Sequence, residues 1–392
     1  MKVFIQVFLP SVLSLWVVSW GYFKILKIAK EKNIVDNPDK RKLQKSPIPV
    51  LGGMAVFLGV IAGMLLGACI IRGMDALLPA LLSMVVMLYL GFMDDTAGLT
   101  PLVRFVAEIL TALGLIFSSG SCIDNFHGLW GIYGIHEWLA VPLTVFTCVG
   151  IINAVNMIDG VNGLSSGLCI VYSTLFGLIF VKSGDIPNAI LAFSMAAGLM
   201  PFLLHNVFGK ESKMFIGDAG TMVMGVVISW FVIVLLRDVC EPMHYRFNDN
   251  LGIVALCLAI LSVPIFDTLR VMTMRMLSGR SPFSPDKTHL HHIFIQMGIS
   301  HSITALSEIL INLFVVAVWW IVYECGASVT IQLYAVLAAS LLLVVGLYFF
   351  LSMQKARDTK LLHAICRFSI KTHLGHSHWW LRFQQFLDKT EE

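Results

Sequence analysis

Residues 217–236 read GDAGTMVMGVVISWFVIVLL, a short Gly-Asp-Ala-Gly opening followed by an apolar run without a charged side chain. A helical run of that length crosses the hydrocarbon core of a bilayer, and its one carboxylate, Asp218, falls at the end where water is within reach. Outward from this stretch, apolar runs of similar length recur roughly at 4–24, 50–71, 77–93, 102–119, 139–157, 163–181, 187–206, 219–236, 251–272, 304–323 and 328–351. The sequence therefore predicts an all-α, polytopic membrane protein of ten or eleven spanning helices. Composition agrees, since 57% of the 392 residues are hydrophobic and 13% charged, too few polar groups to cover a soluble globule. The first run is too long for the apolar part of a signal peptide and lacks a small-residue cleavage site, so it reads as a retained helix.

Charge sets the expected orientation. If the basic loop 24–45 faces the cytoplasm, so do about 22 of the 27 Lys and Arg residues, the bias that cytoplasmic flanks carry. That places the N-terminus outside and the C-terminus inside. A net charge of +3 is explained by this bias and gives no reason to expect a nucleic-acid partner. The eight cysteines have no zinc-type spacing, and most lie within spans as small apolar residues. With no linker-like stretch and no fixed repeat, the chain reads as one membrane domain over 1–353. The tail over 354–392 is basic, carries His and Trp, and suits an amphipathic helix at the interface; solvated histidines are the plainer reading of its His363, His373, His376 and His378.

Five polar clusters interrupt the apolar chain, and threading the spans in order brings all five to the same side. Asp94-Asp95 closes the third span; two adjacent acids at a membrane helix end ask for a cation or a basic partner, unless they are a solvated helix end. Residues 153–164, NAVNMIDGVNGL, add Asn153, Asn156, Asp159 and Asn162, with Gly160 and Gly163 allowing close backbone approach; a tight helix hairpin accounts for the glycines but not for the two Asn within a turn of Asp159. Gly217-Asp218-Ala219-Gly220 opens a helix whose amides favour phosphate and whose carboxylate can hold a divalent cation, though an Asp there can also simply cap. Residues 264–292 supply Asp267, Arg270, Arg275, Lys287, His289, His291 and His292, cations suited to a diphosphate, in a proline-stiffened loop without a zinc pattern. The fifth cluster, 36–53, is basic, then Pro-rich, then Gly-Gly, and its Lys42 can attract an anionic headgroup.

Read in order, these motifs resemble the polyprenyl-phosphate N-acetylhexosamine-1-phosphate transferases, over about residues 36–298. The resemblance implies a cytoplasmic site on a bacterial inner-membrane protein. It also implies transfer of a UDP-activated sugar 1-phosphate to undecaprenyl phosphate, giving the polyprenyl-diphospho-sugar and UMP, at the start of cell-surface polysaccharide synthesis such as O-antigen. The segment SPFSPDKTHLHH is similar to the H-x-H-H form of the GlcNAc-type enzymes, which points to UDP-GlcNAc; UDP-GalNAc, a deoxy-aminosugar or UDP-MurNAc-pentapeptide are the alternatives. A transporter with an acidic relay is the rival class, disfavoured because the acids sit at span ends.

By the same resemblance Asp94, Asp95, Asp159, Asp218, His289, His291 and His292 are the catalytic candidates. Asp218, Asp94 and Asp95 would hold Mg²⁺, with Mn²⁺ able to substitute. Lys42, Asn153, Asn156, Asn162, Asn206, Arg270, Arg275 and Lys287 would contact substrate, and a homodimer is expected on the same ground. The chain departs from the family pattern at Gln44, Val50, Glu108, Asn162 and Thr221, of which Asn162 removes a carboxylate.

Overall fold

The computed structural model of the chain describes residues 2–37, 46–237, 250–282, 284, 287–357, 359 and 378–389. Ten of the described helices are long and apolar enough to cross a membrane, eleven when a sharply bent pair is taken as one span. The first half of the bundle comprises α1 (Lys2–Glu31), α2 (Gly52–Ile70), α3 (Leu78–Ala97), α4 (Pro101–Ser119), α5 (Glu137–Met157), α6 (Leu164–Ser183), α7 (Ile186–Phe208) and α8 (Gly217–Leu236). Then come the short pair α9 (Ile253–Ile260) and α10 (Ser262–Leu277), α11 (Leu290–Gln296), α12 (His301–Glu324), α13 (Val329–Ser340), α14 (Leu347–Ala356) and a terminal α15 (His378–Asp388). A π-turn over Leu341–Gly346 joins α13 to α14 into a single apolar span.

Helix α8 is the hub, buried along its length except at Asp218 and packed by α3, α5 and α2. Without a hydrophobic drive between helices in lipid, close packing depends on small residues at the crossings. A Cβ on Gly53 would stand 2.3 Å from the Gly220 amide nitrogen, and one on Gly91 would stand 2.4 Å from the Ala219 Cα. These contacts bring the starts of α2 and α8 and the end of α3 to one point. Helix α1 packs on α2 and α7 and leaves Phe4, Phe8, Trp16 and Trp20 exposed, as a lipid-facing helix should.

The expected straight span at 251–272 is instead broken, with α9 and α10 meeting at 77°. Pro264 has no N–H to give the Ile260 carbonyl four residues earlier. The side chain of Asn312, on α12, fills the gap: it donates to the Ile260 carbonyl at 2.9 Å and accepts from Ser262 Oγ at 3.1 Å and the Val263 amide at 3.2 Å. A break inside lipid is tolerable only when its polar groups are satisfied by neighbouring protein.

A two-stranded antiparallel pair, β1 (Val35–Asp36) with β2 (Ile48–Pro49), folds the first cluster back over the bundle end. The Phe215 amide donates to the Pro49 carbonyl, and the amides of Gly52 and Gly53 donate to the carbonyls of Phe215 and Ile216. A second pair, β3 (Asn125–Leu129) with β4 (Ile132–Gly134), caps the other end of α8, where the Asp124 amide donates to the Leu236 carbonyl.

Candidate active site

The start of α8 organises the acidic side of the site. Gly217 turns with φ of +73°, and a Cβ there would lie 2.5 Å from Asp95 Oδ2, so only glycine brings the chain round at this point. Asp95 accepts from the amides of Asp218 at 2.9 Å and Ala219 at 3.1 Å. These are free N–H groups of the first helical turn, and a carboxylate there is favoured by hydrogen bonding and by the helix dipole. Asp94 accepts from the Leu99 amide at 2.7 Å, which closes α3, and its second oxygen faces Arg104 at 3.3 Å.

Arg104 reaches three acids from α4: Asp94, Glu108 at 3.2 Å and Asp218 at 3.7 Å. Asn153 donates to Glu108, while Asn156 donates to Asp218 Oδ1 at 2.5 Å and to Thr221 Oγ1 at 2.7 Å. Thr221 thus keeps the hydroxyl that the family's usual Ser would provide. The sequence reading does not place Arg104 at the site; its spacing of four residues from Glu108, at the start of the helix that follows Asp94-Asp95, is the signal that could have found it.

The loop between α5 and α6 forms a second wall. Burial, with the Asp218 charge adding to it, pushes the Asp159 carboxyl up to about 6, although Ser165 Oγ donates to it at 2.5 Å. Asn206 accepts from the Gly163 amide at 2.8 Å and donates to the Met214 carbonyl at 2.9 Å, tying this loop to the one before α8. The Asn162 amide donates to His301 Nδ1 at 3.3 Å.

The histidine segment forms the third wall. His289 Nδ1 lies 2.7 Å from Asp267 Oδ2, while the Leu290 amide and Arg270 donate to Asp267 Oδ1 at 3.1 and 2.5 Å. The rings of His289 and His291 stack with centroids 5.5 Å apart, and those of His291 and His292 are 4.4 Å apart. Burial first, then the neighbouring imidazoles, hold His291 well below the ordinary imidazole range, so it is neutral at neutral pH. Its ring abuts Gly160, where a Cβ would stand 2.6 Å from Nε2.

These walls enclose a cavity of about 940 Å³, in the size range of small-molecule sites. Asp95, Asp159, Asn162, Asn206, Asp218 and His292 line it, so at least one residue from each of four clusters reaches it, and Asp36 with Ser46–Val50 adds the fifth. Asp94, Asn153, Asn156, His289 and His291 stand outside the lining: Asn156 donates to Asp218 and the rings of His289 and His291 lie against His292, while Asp94 and Asn153 meet Arg104 and Glu108 behind it. Lys30, Lys210, Lys213 and His301 also line it, none of them anticipated. Lys42 and Gln44 lie outside the described residues.

Three of the expected substrate contacts lie away from the cavity. Arg270 and Arg275 do not face the cavity: Arg270 is buried against Asp267, donates to the Thr288 carbonyl at 2.6 Å and sits over the Tyr348 ring, while Arg275 donates to the Pro282 carbonyl at 2.6 Å. Both brace the loop that carries the histidines. Lys287 is exposed and also outside the lining.

Among the described residues no three His, Cys, Asp or Glu side chains form a ready chelate. The donor chemistry nevertheless fits Mg²⁺, which takes one or two carboxylates, substrate phosphate and water rather than a protein cage. The Asp218 side chain, about one-third exposed, faces the cavity beside Asp95 and Asp159.

The model of glycosyl transferase family 4 matches residues 77–236. The chain is 31% identical over 293 residues to a probable undecaprenyl-phosphate N-acetylglucosaminyl 1-phosphate transferase of Bacillus subtilis (strain 168), covering 74% of this chain and 77% of the relative. It is 30% identical over 285 residues to the undecaprenyl-phosphate alpha-N-acetylglucosaminyl 1-phosphate transferase of Escherichia coli (strain K12), covering 70% and 72%. The Yersinia pestis relative of the same name is 28% identical over 284 residues, covering 71% and 74%.

Proposed function

Because the chain belongs to glycosyl transferase family 4, the polyprenyl-phosphate N-acetylhexosamine-1-phosphate transferases, we propose that it transfers GlcNAc 1-phosphate from UDP-GlcNAc to undecaprenyl phosphate, releasing UMP. The observation that carries this reading is the meeting of Asp95, Asp159, Asp218, His292 and three lysines in one polar cavity at one end of an apolar bundle. The positive-inside bias supports a cytoplasmic face for that end, and the bacterial relatives support a bacterial cytoplasmic-membrane location.

In the proposed reaction an oxygen of the acceptor phosphate attacks the sugar-bearing phosphorus of the donor, and the bond from that phosphorus to the bridging oxygen breaks as UMP leaves. The acceptor is a phosphate monoester, mostly dianionic at neutral pH, so the need for a strong base is small. The difficulty is to bring two polyanions into line. Mg²⁺, held by Asp218 with Asp94, Asp95 or Asp159 nearby, would neutralise the donor diphosphate. Arg104 balances the acidic cluster, and Asp95 fixes the start of α8 so that the Asp218 side chain faces the cavity. His292 contacts phosphate, with His289 and His291 stacked behind it, and Asn162 and Asn206 shape the wall for the nucleotide or sugar.

The test is a donor panel on the purified protein with undecaprenyl phosphate, comparing UDP-GlcNAc, UDP-GalNAc and UDP-MurNAc-pentapeptide. UDP-GlcNAc is expected to give the highest kcat/KM. Turnover of another donor alone would retain the reaction type and overturn the sugar, with Asn162 the first residue to examine. Label exchange between UMP and UDP-GlcNAc without lipid would replace direct attack by a covalent route through an active-site Asp.

A further inference from the structure

The terminal helix α15 docks on the loop between α7 and α8, the segment that leads into Gly217-Asp218. Asp388, its last residue, accepts from the Lys210 amide at 3.0 Å, the Ser212 amide at 3.0 Å and Ser212 Oγ at 2.7 Å. These donors hold its carboxyl below the ordinary range despite partial burial. Trp380 and Phe383 pack on Phe208, with ring centroids 4.5 and 5.2 Å away, and Gln384 reaches the cavity wall. From the other side, Tyr22 donates to the Ser212 carbonyl at 2.8 Å and Lys30 to the Glu211 carbonyl at 2.8 Å. The loop is therefore clamped between the first helix of the chain and the last.

What the clamp presents is Lys213, the residue after Ser212, which lines the cavity. Burial lowers its pKa, and among the described residues no ion pair or hydrogen bond to a carboxylate holds its ammonium. A partly desolvated ammonium is costly, and a phosphate oxygen entering the cavity that Lys213 lines would offset the cost with a charge-assisted hydrogen bond. His301 is close enough to interact electrostatically with Lys213, and its Nδ1 accepts from the Asn162 amide. Lys213 therefore belongs to the same wall as the position where a carboxylate of the family pattern is replaced.

We propose that Lys213 is a phosphate-binding residue of the cavity and that α15, through Asp388, is the strap that holds it there. Lys213 contacts the ligand, and Asp388 is a positioning residue. The inference rests on the phosphate-transfer reading for the identity of the ligands, but its test needs only binding and proteolysis.

The experiment measures equilibrium binding of UDP-GlcNAc and of undecaprenyl phosphate, separately, to the full-length detergent-solubilised protein and to Lys213→Met, Lys213→Arg, Asp388→Ala and the Lys213→Met/Asp388→Ala double variant. Lys213→Met is expected to weaken one ligand about tenfold or more, and Lys213→Arg to restore most of that loss. Weakening of UDP-GlcNAc assigns the donor diphosphate; weakening of undecaprenyl phosphate assigns the acceptor headgroup. Asp388→Ala should weaken the same ligand by a smaller factor, and the double variant should bind no worse than Lys213→Met, since both act through one contact. In parallel, Asp388→Ala should speed tryptic cleavage after Lys210 and Lys213. Should the alanine variant not fold, Asp388→Asn, which retains one acceptor oxygen, is expected to shift both readouts in the same direction by less.

Unchanged binding of both ligands by Lys213→Met overturns the subsite, as does a wild type that binds neither. Additive losses in the double variant, or tryptic cleavage at the wild-type rate in Asp388→Ala, overturn the strap. A wild type that binds both ligands without turnover counts against the transfer reading and leaves this inference to the binding ratios.

Discussion

Removal of the Asp267 carboxylate should be among the most damaging single changes outside the cavity itself. Asp267 is 1% exposed and receives Arg270, His289 and the Leu290 amide. In Asp267→Ala, Arg270 keeps the Thr288 carbonyl and the Tyr348 ring but loses its counter-ion, and two other buried donors lose their acceptor. Breaking a buried pair in this way costs about 3–5 kcal/mol, most of it from the charge left behind. The prediction is a drop of several degrees in the apparent melting temperature of the detergent-purified protein, with loss of transferase activity as His289 and its stacked neighbours shift. Arg270→Met should also destabilise. The Asp267→Ala/Arg270→Met double variant should be more stable than the sum of the singles implies, because no orphaned charge remains. An Asp267→Ala protein that melts with wild type, or strictly additive singles, would refute the reasoning.

The raised Asp159 pKa has a sign that can be checked. A carboxyl at about 6 in the folded protein and about 3.9 unfolded favours folding fully below pH 4, and that contribution is lost as pH rises through 6. Asp159 is itself exposed to the cavity, so solvent screens part of the cost of its ionisation at neutral pH, and a cation or substrate would offset the rest. Asp159→Asn should therefore melt higher than wild type at pH 7.5 in EDTA, with the gap closing towards pH 4; equal melting at both values would count against it. Gly53→Ala puts a methyl carbon 2.3 Å from the Gly220 nitrogen, so it should abolish a monodisperse peak in size exclusion, and normal elution would contradict the packing at α8. Asn312→Leu leaves the Ile260 carbonyl and Val263 amide without this partner, at about 1–3 kcal/mol per buried group; an unchanged melting temperature would show that the break between α9 and α10 does not depend on it.

The spans were legible because lipid imposes one rule, a long apolar helix, on every crossing. The polar clusters were legible for the complementary reason, since Asp94, Asp95, Asp159 and Asp218 have no place in such helices without a partner. What escaped was pairing across sequence distance. Pro264 announced a disturbance, but the side chain that makes a 77° break tolerable is Asn312, some fifty residues later. Arg270 and Arg275 have the composition of an anion site, yet tertiary contacts turn them onto Asp267 and the Pro282 carbonyl. Arg104 looked like one charge of the positive-inside count until α4 placed it among three acids. The tail read as an interfacial helix, and nothing local in it indicated that Asp388 would cap the loop beside the cavity.

The measurement that tests the central claim most directly is transfer of label from UDP-[¹⁴C]GlcNAc to undecaprenyl phosphate by the purified protein, with Mg²⁺ or with EDTA, beside Asp218→Asn. The account predicts labelled lipid with Mg²⁺, none with EDTA, and none from a folded Asp218→Asn protein. Labelled lipid that persists in EDTA or in the variant, or no product from an intact wild type, would contradict it.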